Sequence, residues 1–440
     1  MAVRAEQLPV TTVRLLPDRL DLVLILALAL ALRMLFILTT PINTAGGDTR
    51  WLLETGLQIV QNRVEQVPQT PPLYLLFNGL VQVVSGSASL EVIRVFNAIF
   101  GLITVALLYV IGCLYFNRRA GQMVAIAVAI NPIFIIETGN ILTESLFLPL
   151  FFGAIALYAF YTRGSYEHLW RGMALVGVLL GLATLTRAPT LALPAVFGLH
   201  LIVTFRWRGV RLALILGAAY LIMLSTWSVY TLVRWGTFVL AGQGIAANIF
   251  IGTTEGWCGP ECTDQQVGIT GEDGGANNQQ KYLERAAETI SADPIGYLLR
   301  RVSNVVEATL QPHNTVFYPG ESLKNLAAAW WANDRSLSGL LAISAGDHFW
   351  PKALIYVFHF TALGLGIVGL LIATFRQRIF WEIFPLFGVI GYFYALHLVM
   401  TAIPRYLFPL AGIWWLLAAF MLTGFANRKA QLPTPEGEMR

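Results

Sequence analysis

PINTAGGDTRWLLETGLQIVQNRVEQVPQTPPLYLLF, residues 41–77, decides how the rest of the chain is read. It begins where an apolar run stops and sets the carboxylate of Asp48 beside a Gly-Gly turn. A short helical pattern follows, and the stretch closes on a rigid Pro-Pro pair. A carboxylate just past the end of a membrane-crossing helix can work on a group presented at the membrane surface. The flanking sequence therefore has to say whether a membrane is there.

On the N-terminal side Arg4, Arg14 and Arg19 precede the unbroken apolar run Leu20 to Thr40. That is about the ~20 residues a helix needs to cross a bilayer and longer than the ~7–15 of a signal-peptide core. It reads as a first span with a cytoplasmic N-terminus. On the C-terminal side, further apolar runs lie near 92–115, 120–137, 143–161, 172–187, 189–205, 212–233, 352–374, 380–397 and 405–424. The chain is thus expected to be an all-α polytopic membrane protein with about ten spans. Of its 440 residues 56% are hydrophobic and 12% charged, with a mean hydropathy of +0.64, too little polar surface for a soluble globule of this length.

The net charge of +4 and the pI near 9.0 do not point to nucleic acid, because the basic residues come as short clusters between apolar runs. Arg118/Arg119, Arg163/Arg171, Arg206/Arg208/Arg211, Arg376/Arg378 and Arg428/Lys429 all fall on one side when the runs alternate, which is the positive-inside pattern and makes both termini cytoplasmic. The outer side then receives residues 41–91, short turns near 138–142, 187–188 and 398–404, and a long insert from about 234 to 351. Three units follow: an N-terminal membrane module, 1–233, an extracytoplasmic lobe, 234–351, and C-terminal membrane helices with a tail, 352–440. PPLYLLFNGLVQVVSG, residues 71–86, is short for a span and opens on a double proline, so it is expected to lie in the outer interface. In the insert, SADPIGYLLRRVSNVVEATL carries a helix cap and apolar residues at helical spacing, and LKNLAAAWWANDRSLSGLL offers Trp330 and Trp331 to the interface. A small, mostly helical lobe resting on the outer leaflet is the expectation. Three cysteines make no disulfide framework; Cys258 and Cys262 in CGPEC suit a local disulfide better than a metal site, and Cys113 sits inside a span.

Few residues can carry chemistry. Asp48 can accept a proton from a hydroxyl, and it can equally cap the helix TRWLLETGLQIV; spacing alone does not separate the two. Glu137 and Glu144 flank an outer turn in IIETGNILTESLFLPLFF. A charge inside a span costs roughly 2.5–3.5 kcal/mol on the insertion scale, so these carboxylates should face a wet cavity or a partner. Arg33, Arg187 and Arg405 stand at outer span ends. One such arginine is ordinarily a snorkelling side chain, but three converging opposite acids make a phosphate cradle, with Arg187, in a tight turn, the strongest. His397 is more simply structural than a ligand. No ligand spacing requires a metal; a divalent ion, if used, would recruit Asp48, Glu144 and His397.

Taken in order, GGDTRWLL, TPPLYLLF, FNRRAGQMVAIAVAINP, ETGNILTESLFLPLFF, GLATLTRAPTLALP, GQGIAANIFIGTTEG and RYLFPLAGIWWLL resemble bacterial polytopic glycosyltransferases of the GT-C superfamily. The nearest branch is that of the protein mannosyltransferases and the lipid A aminoarabinose transferase. The resemblance implies a cavity on the outer face of the bacterial inner membrane, roofed by the first loop. It also implies a polyprenyl-phosphate sugar donor and inverting transfer to a glycan, lipid or protein acceptor. By matching positions Asp48 is the first-loop catalytic carboxylate and Glu144 the acid of the second outer loop. Arg187 falls at the basic position near the donor phosphate, and Tyr74 lies in the PPLY segment. Where the aminoarabinose transferases carry an acidic-basic pair before the double proline, this chain has Gln69 and Thr70, so the same sugar and acceptor do not follow. Two rival classes remain: a flippase or transporter for a lipid-linked sugar, against which stands the lack of an internal repeat, and a non-catalytic lipid-binding subunit with the same fold.

Overall fold

The computed structural model describes residues 19–42, 47–163, 168–253, 276–377 and 379–424. Cys258 and Cys262 lie outside them, as does the tail with Arg428 and Lys429. The described residues form helices and no strand. In chain order these are α1 (Arg19–Thr39), α2 (Gly47–Val60), α3 (Pro72–Ser85), α4 (Ser89–Tyr115), α5 (Arg118–Ile130), α6 (Pro132–Gly139), α7 (Glu144–Arg163), α8 (Leu169–Thr186) and α9 (Leu193–Trp235). Then come α10 (Ile245–Ile251), α11 (Ala276–Ala292), α12 (Pro294–Leu310), α13 (Leu323–Asn333), α14 (Leu337–Ser344), α15 (Phe349–Leu371), α16 (Phe380–Val399), α17 (Pro404–Leu407) and α18 (Pro409–Thr423).

Among the described residues seven helices are long and apolar enough to cross a membrane. The expected runs map onto this bundle with three local differences. The run 120–137 is not straight: α5 and α6 meet at 52°. Asn131 ends α5, its side chain accepts from the Ile133 amide at 2.9 Å, and Pro132 opens α6 at the position where a missing N–H costs nothing. The longest helix, α9, holds both runs 189–205 and 212–233. Arg206 takes φ 51° and ψ −122°, and the chain doubles back there, so that the Tyr220 hydroxyl donates to Leu191 O at 2.8 Å. Gly209 makes this reversal possible, since a Cβ on it would sit 2.0 Å from Leu201 O. The last run splits at Pro409, leaving Arg405 on the separate turn α17 and the 15-residue α18 behind it.

The two ends of the bundle are chemically distinct. At one end Arg118 pairs with Asp21 at 2.7 Å, Arg163 with Glu382 at 3.1 Å, and the Asn117 amide donates to Gly424 O at 2.8 Å. These are the helix ends that carry the basic clusters. At the other end Arg94 donates to Thr40 O at 3.0 Å and Asn97 to Asn140 O at 2.9 Å, drawing the first loop over the α6–α7 turn. There α2 and α3 cross at a pair of glycines, where a Cβ on Gly79 would stand 2.1 Å from Gly56 O. Leu52, Ile59, Tyr74 and Leu75 form a small core between them. Asp48 is at this first-loop end.

Candidate active site

Two carboxylates and two guanidinium groups meet at the first-loop end. Asp48 lies in the first turn of α2 and Glu144 is the first residue of α7, positions where the helix dipole favours a negative charge. Arg187 closes α8 in extended conformation, at the end where a cation is favoured. Arg405 comes from α17, held by the 398–406 loop. Its Nη1 pairs with Asp48, its Nε with Glu144 Oε1, and its Nη2 donates to Glu144 Oε2 at 3.1 Å. Arg187 Nη1 pairs with the same Glu144 oxygen, Oε1, and the Thr143 hydroxyl donates to Oε2 at 3.1 Å.

The acids are not equivalent. Glu144 is wholly buried and shared between two arginines, whereas the Asp48 side chain is 70% exposed and holds one. An acid already neutralised on both oxygens is a fixture that fixes guanidinium groups in place. An exposed acid with one partner is the one that can exchange that partner and take a proton. Burial works against the Arg405 cation, but the Glu144 and Asp48 carboxylates outweigh it and raise its pKa. Tyr406 completes the wall: Arg187 lies 5.6 Å from its ring centroid, and its hydroxyl pKa is raised, chiefly by burial.

Of the six residues named from the sequence, the structure brings Asp48, Glu144, Arg187 and Arg405 together and leaves two apart. Arg33 is a correction. Its guanidinium is buried in the bundle and donates to Ala29 O at 3.1 Å, Ala129 O at 3.2 Å and Val128 O at 3.5 Å, tying α1 to the end of α5. A charge so enclosed spends its donors on carbonyls and has none for the site. Tyr74 is also fully buried, in the α2–α3 core, so its ring lies behind the cluster and does not line an opening. His397 organises the loop: Nδ1 is 2.8 Å from Thr401 O and the ring stacks on Tyr406 at 5.6 Å. Among the described residues no three of His, Cys, Asp and Glu gather as a metal would require. Arg405 stands between Asp48 and Glu144, so this donor set does not fit a divalent ion.

Glu137, named from the sequence with Glu144, gathers partners that escaped the sequence reading. Glu137 is buried beside the cluster, and its Oε2 accepts from His313 Nε2 at 3.0 Å and Asn314 Nδ2 at 3.1 Å. Both partners lie 176 residues or more along the chain, in QPHN after α12, and their only signal was two polar side chains just past a helix end. Arg301 of α12 donates to the carbonyls of His397, Met400, Leu398 (3.3 Å) and Gly252 (3.0 Å), capping α16 and fixing the loop that carries Arg405. Asn248 O receives the Thr401 amide at 3.1 Å and hydroxyl at 2.8 Å from the other flank.

A family model described as dolichyl-phosphate-mannose-protein mannosyltransferase matches residues 69–230, the part that contributes Glu144 and Arg187. The Archaeoglobus fulgidus oligosaccharyltransferase in its apo form is similar over 91% of this chain and 50% of its own, at 14% identity and a TM-score of 0.53. The fold is that of the GT-C glycosyltransferases. A second structure of this GT-C fold, the archaeal oligosaccharyltransferase AglB from the same organism with an inhibitory peptide and a dolichol-phosphate, gives 15% identity, 91% and 50% coverage and a TM-score of 0.53. The chain therefore spans about half the length of the oligosaccharyltransferases it matches. ArnT from Cupriavidus metallidurans bound to undecaprenyl phosphate is similar over 93% of this chain and 78% of its own, at 14% identity and a TM-score of 0.43. No curated protein sequence matches the chain.

Proposed function

We propose that the protein is an inverting glycosyltransferase that moves a sugar from a polyprenyl-phosphate donor to an acceptor hydroxyl on the outer face of the plasma membrane. The observation that carries this reading is the asymmetric cluster, with exposed Asp48 and buried Glu144 sharing Arg405, and Arg187 backing Glu144. Support also comes from the fold, which is shared with an oligosaccharyltransferase that binds a dolichol-phosphate. In this scheme the donor phosphate displaces Asp48 from Arg405 and lies against Arg405 and Arg187. The acceptor oxygen attacks the anomeric carbon, its proton passes to the freed Asp48, and the bond to the phosphate oxygen breaks with its electron pair leaving on the lipid phosphate. The two guanidinium groups stabilise the growing charge. Glu144 keeps them in place throughout. Outer-face chemistry with cytoplasmic termini is supported by the placing of Arg118 and Arg163 at the end of the bundle opposite Asp48. Residues 234–351 are assigned to acceptor selection.

The test is transfer by the purified protein in liposomes loaded with a polyprenyl-phosphate sugar. Release of the lipid carrier together with a glycosylated product supports the enzyme. Donor movement across the bilayer without product supports a flippase, and donor binding alone a non-catalytic subunit. Asp48→Asn should leave folding intact, because its side chain is exposed, and lower turnover by ~10²–10⁴, the usual worth of a general base. Near-normal turnover would remove that role.

A further inference from the structure

Helix α12 is three-sided. Arg301, Val305 and Ala308 form the side buried against the bundle. Arg300, which reaches Asp293 at 3.4 Å, and Glu307, paired with Lys324 of α13 at 2.6 Å, form a polar edge with Ser303. The third side carries Ile295, Leu298, Leu299, Val302, Val306 and Leu310, at helical spacing and each between 44% and 75% exposed. No described residue covers this stripe, which is far too apolar for a face turned to water.

The depth at which α12 sits says what does. α16 has 20 residues, about the 30 Å of a hydrocarbon core at ~1.5 Å per residue, so its Val399 end marks one boundary. Counting the same length back from Arg376 puts that boundary near Tyr356 on α15. The start of α12 is level with it, the Tyr297 hydroxyl lying 3.4 Å from Val399 O. The C-terminal end is lower: Thr309 O is 2.8 Å from His359 Nε2, and Thr309 Oγ1 is 3.4 Å from the Tyr394 hydroxyl. His359 is three residues past Tyr356 and Tyr394 five before Val399, or about 5–8 Å inside the boundary. On the polar edge Glu307 stays paired with Lys324 of α13. The stripe runs on from exposed side chains of the spans themselves, Val399 on α16 and Val357 and Phe360 on α15.

We infer that α12 is seated obliquely in the leaflet at the first-loop end, with this stripe against lipid acyl chains. A depth of about 5–10 Å is where amphipathic interfacial helices lie. The seat has a bearing on the site, because the chain leaving α12 delivers His313 and Asn314 to Glu137 within four residues of Leu310.

The test reads position rather than sugar transfer, so it stands apart from the proposed chemistry. Full-length protein carrying a clickable residue at 295, 302 or 306, with 303 as the polar-edge reference, is conjugated to an environment-sensitive fluorophore. It is then reconstituted in phosphatidylcholine–phosphatidylglycerol vesicles. Spin-labelled acyl chains should quench 302 and 306 several-fold more than 303, with 295 shallower than 306, and aqueous iodide should give the reverse order. Iodide reaching 302 and 306 as freely as 303 would place the stripe in water. Shielding of both sites from both quenchers, with cross-linked dimers, would mean that a second copy covers it; either result overturns the inference.

Discussion

Glu144 shows how much one buried charge can hold. Two arginines face it: without it Arg187 would lose its paired carboxylate and Arg405 would keep only the exposed Asp48. Removing one partner of a buried ion pair typically costs about 3–5 kcal/mol, because the other is stranded. Glu144→Gln is therefore expected to lower the thermal midpoint of the detergent-solubilised protein clearly and to abolish transfer, whereas Asp48→Asn lowers transfer by ~10²–10⁴ with the midpoint unmoved. Equal midpoints for the two variants would argue that the acids are interchangeable, against the difference in their burial. Which residue types matter was legible in the sequence, since a carboxylate or guanidinium next to a span must have a reason. Which of them are spent was not. Arg33 and Arg187 both stand at outer span ends in the sequence, and only the packing shows that the first is consumed by backbone carbonyls and the second pairs with Glu144.

At the scale of elements, the site depends on how helices end and turn. Arg301 supplies donors to carbonyls left without partners where α16 stops. Arg301→Ala strands those acceptors, at a cost on the order of 3 kcal/mol, and loosens the loop bearing Arg405. A lower midpoint together with a raised donor KM is expected, with Arg301→Lys recovering part of both; a midpoint change with KM untouched would make Arg301 a stability residue only. The hairpin in α9 gives a second case. A side chain on Gly209 meets Leu201 O at 2.0 Å, and overpacking of this kind costs about 1–3 kcal/mol. Gly209→Ala should lower the unfolding midpoint while leaving the donor KM alone, because the reversal at Arg206 is far from Asp48. Periodicity and apolar length located these helices within a few residues. They missed the 52° bend at Asn131–Pro132 and the break at Pro409, where a single residue's backbone outweighs the pattern around it.

For the molecule as a whole, the two ends of the bundle should respond differently to the same kind of change. The Arg163–Glu382 pair at the basic end is 3.1 Å long, but Glu382 is 43% exposed, and pairs in that setting are worth about 0–1 kcal/mol. Glu382→Ala is expected to change neither transfer nor the midpoint appreciably, in contrast to Glu144→Gln; a comparable loss at both ends would mean that charge pairing stabilises the bundle generally. The chain alone determined that it lives in a membrane, roughly where its apolar helices run and which acids and bases are candidates. Each of these follows from the cost of placing polar groups in hydrocarbon, which every residue registers locally. Only the tertiary structure decided that Asp48, Glu144, Arg187 and Arg405 share one cluster and that Arg33 and Tyr74 do not. It alone brought His313 and Asn314 to Glu137 from the far side of the lobe. Those facts depend on distances between residues 43 to 357 positions apart along the chain, and no local pattern records them.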